Sequence, residues 1–497
     1  MNPASTSAGD AYAADSHPGA RPLDVDGYPL APPELELEQV HVYVRHGALF
    51  LPGLRTKTAS APPCGYACPT HPRPSPPAGL SATPRAGSPP PSRVTRPPGA
   101  TRRCPYNGSS SAKTGPRRRA SGECSVSARL WVVTGEGRTS VDVFFLGWAG
   151  DGSLLGELTD VGRQTTYDFG LALRRLYIDR LGFLSDTVQS DRDVYFRSTN
   201  VPRTVESLHQ VIHGLYPAGK CGHDYAPQIR IRNAIHENLF GNTGACKRLE
   251  VLAIGFARAA HESWNPVLER LDPKVSKYIG GRPIRLDGQP RASGILDTIR
   301  AAVANNISVP HEMTEKGVID VIEKAVVHEW YGGCGTTLAD STEEVRRLGM
   351  GRLLADVSLK MQQQAARDET PRILVHSTHD TTLAAICATF DVFDERWPAF
   401  TSYISFELFR KHDNQSAPPS LWQTVLSPFR QPDLSNHYVR MRYQNKNMVL
   451  PVCQAEGKHL PGHPEFCTLA AFRDRVRELT PVDWAAECAP AVNASRA

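Results

Sequence analysis

From position 39 to 122 the chain has no aspartate and no glutamate. A soluble folded surface mixes charges of both signs, so this absence marks the stretch as anomalous. Twelve lysines and arginines between positions 48 and 119 are left unbalanced. The whole chain carries a net charge of only +5, so everything outside that stretch is net acidic. The basic balance therefore belongs to one segment and excludes reading the protein as a nucleic-acid binder. No apolar run approaches the length of a membrane span, so no integral span is expected. The first twenty residues lack both a basic start and an apolar core, which argues against a secretory leader. Asp10 and Asp15, with no arginine before Arg21, argue against a mitochondrial leader. On these grounds the expected compartment is the cytoplasm, with mitochondrial and secretory placement left open. Cysteine is sparse too: eleven in 497 residues, without framework spacing. That excludes a disulfide-knit small domain. Cys64, Cys68 and His71 lack a second pair at finger spacing, so they are assigned to chance rather than zinc. Cys453, Cys467 and Cys488 leave room for one disulfide, formed only under oxidising conditions.

Positions 1–36 are rich in Ala, Ser, Pro and Asp and read as disordered. Val40, Val42 and Val44 alternate with His41 and Tyr43, predicting a strand over 39–45. From 48 to about 150 the periodicity fails, and Pro, Ser, Arg and Gly dominate until about 124. Regular structure resumes with a helix capped by Thr159 or Asp160, whose inner face would be Val161, Thr165, Phe169, Ala172, Leu173 and Leu176. A strand over 193–197 (DVYFR) leads into a helix opened by Pro202. Positions 219–364 read as mostly helical. A strand over 372–376 (RILVH) runs into His379-Asp380 and a helix over 381–390. Two antiparallel strands follow, over 402–408 and 438–443. The expected fold is α/β: a mixed sheet sandwiched by helices, with an inserted helical cap at about 219–364.

Three predicted strand ends carry reactive side chains: Arg45-His46-Gly47, Arg197-Ser198-Thr199 and His379-Asp380. In open α/β sheets ligands bind beyond the carboxyl ends of the strands. Arginines and histidines gathered there suit a phosphate dianion, because guanidinium forks match its oxygens in pairs. Gly47 would let the backbone approach the ligand, and the helix after His379 would add its positive end. Phosphate monoesters hydrolyse very slowly unaided. A neutral imidazole can take the phosphoryl group, and a nearby carboxyl can protonate the leaving oxygen. His46 is the expected nucleophile and Asp380 the expected acid, with Arg45, Arg197 and His379 holding phosphate. Each tripeptide alone occurs often by chance; their order and placement after strands carry the reading.

VYVRHG, YFRSTNVPRTVES and HSTHDTTLAAI resemble the motifs of the histidine acid phosphatases, in the histidine phosphatase superfamily, and most of all the lysophosphatidic acid phosphatase type. GELTDVGRQTTYDFGLALRRLYIDRLGFL and VFDERWPAFTSYISFELF are similar to the same group. The resemblance implies a phosphoglycerate mutase-like core over 37–47 and 151–490, no metal and no cofactor. It implies the same roles for His46, Asp380, Arg45, Arg197 and His379. The substrate would be a small phosphomonoester or lysophospholipid, cleaved through phosphohistidine. The family pattern continues Arg-His-Gly-x-Arg-x-Pro, but here positions 49 and 51 are leucine. Positions 48–150 then read as a disordered insertion, or as a stretch translated from intronic or out-of-frame sequence. Arg138 is a candidate for the displaced arginine, since joining Gly47 to Gly137 would restore the spacing. Activity is expected to be impaired. A phytase-like phosphatase and a non-catalytic phosphoryl-ligand binder are the alternatives.

Overall fold

A computed structural model describes residues 22–49, 131–134, 137–140, 156–223, 225–332, 339–367, 370–412 and 434–489. They belong to one of the chain's two units, residues 1–56 with 127–497. The other unit, 57–126, lies outside the described residues, as do most of the anomalous stretch and positions 1–21.

The described residues build an eleven-stranded mixed sheet. Its strands are β1 (Leu35–Arg45), β2 (Trp131–Thr134), β3 (Gly137–Ser140), β4 (Val194–Ser198), β5 (Ile229–Ile231), β6 (Ile373–Thr378), β7 (Tyr403–Lys411), β8 (His437–Tyr443), β9 (Lys446–Met448), β10 (His459–Leu460) and β11 (His463–Thr468). The order is β10-β11-β8-β7-β1-β6-β4-β5-β2-β3, with β9 paired to β8. β1, β6, β4 and β5 run parallel, and β7 closes antiparallel on β1. The α/β sandwich expected from the sequence is the fold observed.

β1 is central, so both of its faces are covered. Val40, Val42 and Val44 pack under α1 (Asp160–Arg174) and α2 (Pro202–Leu215), among Phe169, Leu173, Leu208 and Val211. Tyr43 faces the other way, with Leu353, Val357 and Met361 of α6 (Ala339–Ala365) and Leu383 and Ile386 of α7 (Asp380–Thr389). Phe472 of α8 (Leu469–Leu479) completes that layer. The alternation in the sequence is therefore between two buried faces, not between core and water. Even His41 is 1% exposed.

Three expectations shift in detail. Residues 22–36 are ordered rather than disordered: Leu23 and Tyr28 are buried. The Tyr28 hydroxyl donates to Glu407 Oε1 at 3.0 Å, and the fully buried Arg440 closes the network from Nε to Glu407 Oε2 at 2.7 Å. In α1, Thr159 is the cap, accepting from Gly162 N at 3.1 Å. The buried face is Gly162, Thr166, Phe169, Gly170 and Leu173, while Val161 is exposed. The cap is also smaller than 219–364, because β5 joins the sheet and α6 covers it. Within that span α3 (Lys247–Glu269), α4 (Ala292–Ala304) and α5 (Lys316–Tyr331) share a separate core. That core reaches Ala384 and Trp397, and so meets α7 directly.

Among the described residues two disulfides are present. Cys453 pairs with Cys467, and Cys488 pairs with Cys246 at the start of α3, a partner that sequence reasoning did not name. The second bond ties the cap to the C-terminal segment across 242 residues.

Candidate active site

The site forms where β1, β6 and β4 end together. The His46 N–H donates to Thr378 O at 3.0 Å and the Arg45 N–H to Ser402 O at 2.8 Å. Parallel pairing of β1 with β6 sets Arg45 opposite Thr378, so His46 and His379 emerge side by side. Their rings lie 5.6 Å apart, edge to face. His46 Nδ1 is 2.9 Å from Gly47 O. A carbonyl can only accept, so this contact assigns the proton to Nδ1 and the lone pair to Nε2. Burial, with Arg45, Arg203 and His379 beside it, holds the His46 pKa well below the ordinary histidine value. The free ring is thus neutral under mildly acidic conditions, with Nε2 as its nucleophilic atom.

His379 caps α7, and its Nε2 lies 3.0 Å from Thr199 Oγ1 just past β4. Burial, reinforced by Arg203, brings its pKa down to about 4. Asp380 is the first residue of α7. Arg45 Nη2 meets its Oδ2 at 2.6 Å, and Trp397 Nε1 donates to the same oxygen at 3.1 Å. The Thr381 N–H donates to Oδ1 at 2.7 Å. Arg45 is fixed further by a bond from Nη1 to Pro398 O at 2.6 Å, and it lies over the Phe400 ring at 4.1 Å. Its Nε is buried without a hydrogen-bond partner. The structure therefore brings His46, Asp380, Arg45 and His379 together, as expected.

Arg197 is not brought to this group. Its Nη2 is held by Glu237 and by Asn238 Oδ1, the latter at 2.8 Å. Its Nε is unpaired too, but the strongest charges it feels are those of Glu237 and Arg232. The cause is register: Arg197 lies on β4 opposite His376, two positions before the β6 residue that pairs with Arg45. The second guanidinium at the site belongs to Arg203, near the start of α2. Its charge acts on His46, His379 and Asp380, and its Nε is buried without a partner. Arg203 stood in the quoted motif YFRSTNVPRTVES, yet lying beyond the strand it was given no role. A signal was available: Pro202 opens a helix, and a residue in its first turn sits at the helix's positive end beside the strand termini.

Arg138 does not replace the motif arginine. Its backbone belongs to β3 at the sheet edge, with β6, β4, β5 and β2 lying between it and β1. At about 4.8 Å per strand the separation is roughly 24 Å, beyond the reach of an arginine side chain. Leu49 is buried and bridges to Leu158, so position 49 serves the packing of the loop on the start of α1. Gly47 also has a different reason from the one expected. A Cβ there would lie 2.3 Å from Gly162 O, so its smallness serves contact with α1 rather than with a ligand.

The model of the histidine phosphatase superfamily (branch 2) matches residues 149–444, more than half of the chain. The chain belongs to that superfamily. The match starts beyond the anomalous stretch, so the pairing of β1 with β6 is what adds Arg45 and His46 to this histidine phosphatase's site. A Schizosaccharomyces pombe protein named as a probable acid phosphatase is 36% identical over 362 residues, 67% of this chain and 77% of its own. The human lysophosphatidic acid phosphatase type 6 is 26% identical over 266 residues, 52% of this chain and 58% of its own. Among solved structures, a Hafnia alvei phytase in its apo form aligns with 93% of this chain and all of its own, at a TM-score of 0.49 and 13% identity. Membership makes this histidine phosphatase an enzyme, a phosphoric monoester hydrolase of the acid phosphatase kind.

Two predictions arise from the geometry. Arg203→Ala removes a donor to the transferring group and is expected to lower kcat roughly 10²–10³-fold. Arg197→Ala strands the buried Glu237 carboxylate, so its main effect is a lower unfolding midpoint. Steady-state kinetics and thermal melts of both variants separate these roles.

The second concerns pH. His41, with its pKa lowered by burial to about 3, and His376, lowered by burial well below the ordinary value, are buried with their rings 6.5 Å apart. Each has a folded pKa below its unfolded value of about 6.5, so the unfolded chain binds more protons between the two. Stability is complete above about pH 6.5 and falls as the pH drops, by up to about 1.4 kcal/mol per unit for each such group. Urea unfolding at pH 7 and pH 5 checks the sign, and the midpoint must be lower at pH 5.

Proposed function

We propose that this acid phosphatase works through a phosphohistidine on His46 Nε2. The observation that carries the reading is the Nδ1 contact with Gly47 O, which leaves Nε2 free in a neutral ring flanked by two guanidinium groups. Arg45 and Arg203 take the phosphoryl oxygens with their unpaired Nε–H groups, and His379 adds a ring donor at the start of α7. Nε2 attacks phosphorus, the ester oxygen leaves, and the Asp380 carboxyl gives it a proton. Water then splits the phosphorus–nitrogen bond and returns the proton.

For the substrate we propose a monoester whose alcohol is apolar, of which lysophosphatidate is the type. Phe400 lies against Arg45 and His46, Phe240 packs 6.0 Å from His379, and Trp330 meets Trp397 edge-on at 6.1 Å while being half exposed. Such a rim suits a hydrocarbon better than a polyanion. The bases between β5 and the start of α3 that could meet a polyanion are already paired: Arg230 with Asp191, Arg232 with Asp356, Lys247 with Glu250 and Arg248 with Glu344. The name of the human relative agrees with this choice. A phytase-like hydrolase is the direct competitor. A panel of lysophosphatidate, phytate and p-nitrophenyl phosphate tests it: kcat/KM higher for phytate than for lysophosphatidate would overturn the lipid reading.

We further propose an oxidising compartment in place of the cytoplasm expected from sequence, because two disulfides persist only there. Non-reducing peptide mapping of protein from its native source tests this; free thiols at Cys246 and Cys488 would contradict it.

A further inference from the structure

A second carboxyl faces the site from the cap. Asp297 lies on α4, and its Oδ1 is 3.7 Å from Arg45 Nη2, the same nitrogen that grips Asp380 Oδ2 at 2.6 Å. The two carboxyls differ in what surrounds them. Asp380 accepts from Arg45, Trp397 and the Thr381 N–H. Asp297 Oδ1 is shielded from water and has no hydrogen-bond partner. Yet 37% of the Asp297 side chain is accessible, so the residue is reached through a crevice rather than sealed in the core. A buried carboxylate oxygen without a donor costs free energy while it is charged. Of the two carboxyls, Asp297 is therefore the one on which a proton relieves a cost.

We propose that Asp297 holds the proton that Asp380 delivers to the leaving oxygen, the two carboxyls acting as one acid across Arg45. The inference rests on the phosphohistidine reading above. In the first step the Nε2–phosphorus bond forms and the phosphorus–oxygen bond breaks. The alkoxide takes a proton through Asp380, and Asp297 ends ionised beside Arg45. In the second step water adds to phosphorus, the phosphorus–nitrogen bond breaks, and the proton of the water reloads Asp297. No other reactant is needed.

The groups facing Asp297 support this division. Burial raises its pKa, and Asp380 raises it further, against the opposing charges of Arg45, Arg300 on its own helix and Arg203 on α2. One like-charged neighbour on α7 thus favours the proton on Asp297, and the three arginines keep its ionised form accessible after transfer.

The test compares Asp297→Asn and Asp297→Glu in the full chain, using an aryl ester (p-nitrophenyl phosphate) and an alkyl ester (β-glycerophosphate). p-Nitrophenolate leaves without a proton, whereas an alkoxide does not. In Asp297→Asn the alkyl-to-aryl ratio of kcat is expected to fall about 10²-fold, the size of a general-acid contribution. The alkaline limb of the alkyl profile should move to lower pH, and Asp297→Glu should restore most of the ratio. Equal losses on both esters, or none on either, would overturn the proposal. Failure of the phosphohistidine reading shows separately, as a wild type that forms no phosphoenzyme from either ester.

Discussion

Replacing His46 by alanine is expected to reduce turnover of p-nitrophenyl phosphate roughly 10⁴–10⁶-fold, the scale on which enzymes lose activity with their nucleophile. The size follows from what the side chain supplies. No other neutral nitrogen in the group is aimed by a backbone contact like that between Nδ1 and Gly47 O. Asn is the informative second substitution, since it keeps polarity and volume but cannot take a phosphoryl group. Neither change should unfold the protein. His46 is a buried group whose ionised form is disfavoured, so removing it relieves a pH-dependent liability. Stopped assays with melting curves on both variants check this, and loss of activity with an intact melt is the expected pattern.

Asp380→Asn is expected to separate esters by their leaving groups. Removing a general acid costs about 10²–10⁴-fold where the leaving oxygen needs a proton. For β-glycerophosphate the loss should lie in that range, while p-nitrophenyl phosphate should lose far less. The single oxygen of asparagine can still accept from the Thr381 N–H and hold the start of α7, while its amide, in place of Oδ2, no longer accepts from Trp397 Nε1. It can no longer neutralise Arg45, so KM for a phosphate dianion should fall rather than rise. A rate loss of equal size on both esters would assign Asp380 to holding Arg45 instead of giving a proton.

Much of this was legible in the sequence, because it rests on short-range pattern. Valine alternation located β1, Pro202 opened α2, and His379-Asp380 after a buried strand located the start of α7. Other features depended on information that the linear pattern does not hold. Whether Arg197 or Arg203 reaches His46 is decided by the register of β4 on β6 and by Glu237, which takes Arg197 from a segment forty residues away. Asp297 gave no signal, since a carboxylate on a cap helix resembles any surface acid until α4 is laid against Arg45. Cys246 was missed for the same reason: its partner is 242 residues distant. Arg138 shows the converse error. A tetrapeptide resemblance suggested a role, and sheet order placed it five strand positions from β1.

The missing arginine at position 49 carries less weight once Arg203 is seen. Leu49 is buried against the start of α1, while Arg45 and Arg203 both keep an unpaired Nε–H. A phosphate dianion therefore still meets two guanidinium groups. Turnover by this chain is expected to be measurable, with the loss from position 49 confined to one donor, about 10²–10³-fold.

The most direct measurement is to trap the covalent intermediate. The full chain is mixed with ³²P-labelled substrate at pH 5, quenched in alkali within milliseconds, digested and mapped. The account predicts a base-stable, acid-labile label on the peptide containing His46, absent from His46→Ala. Label on any other residue, or steady turnover with no label at all, would contradict it.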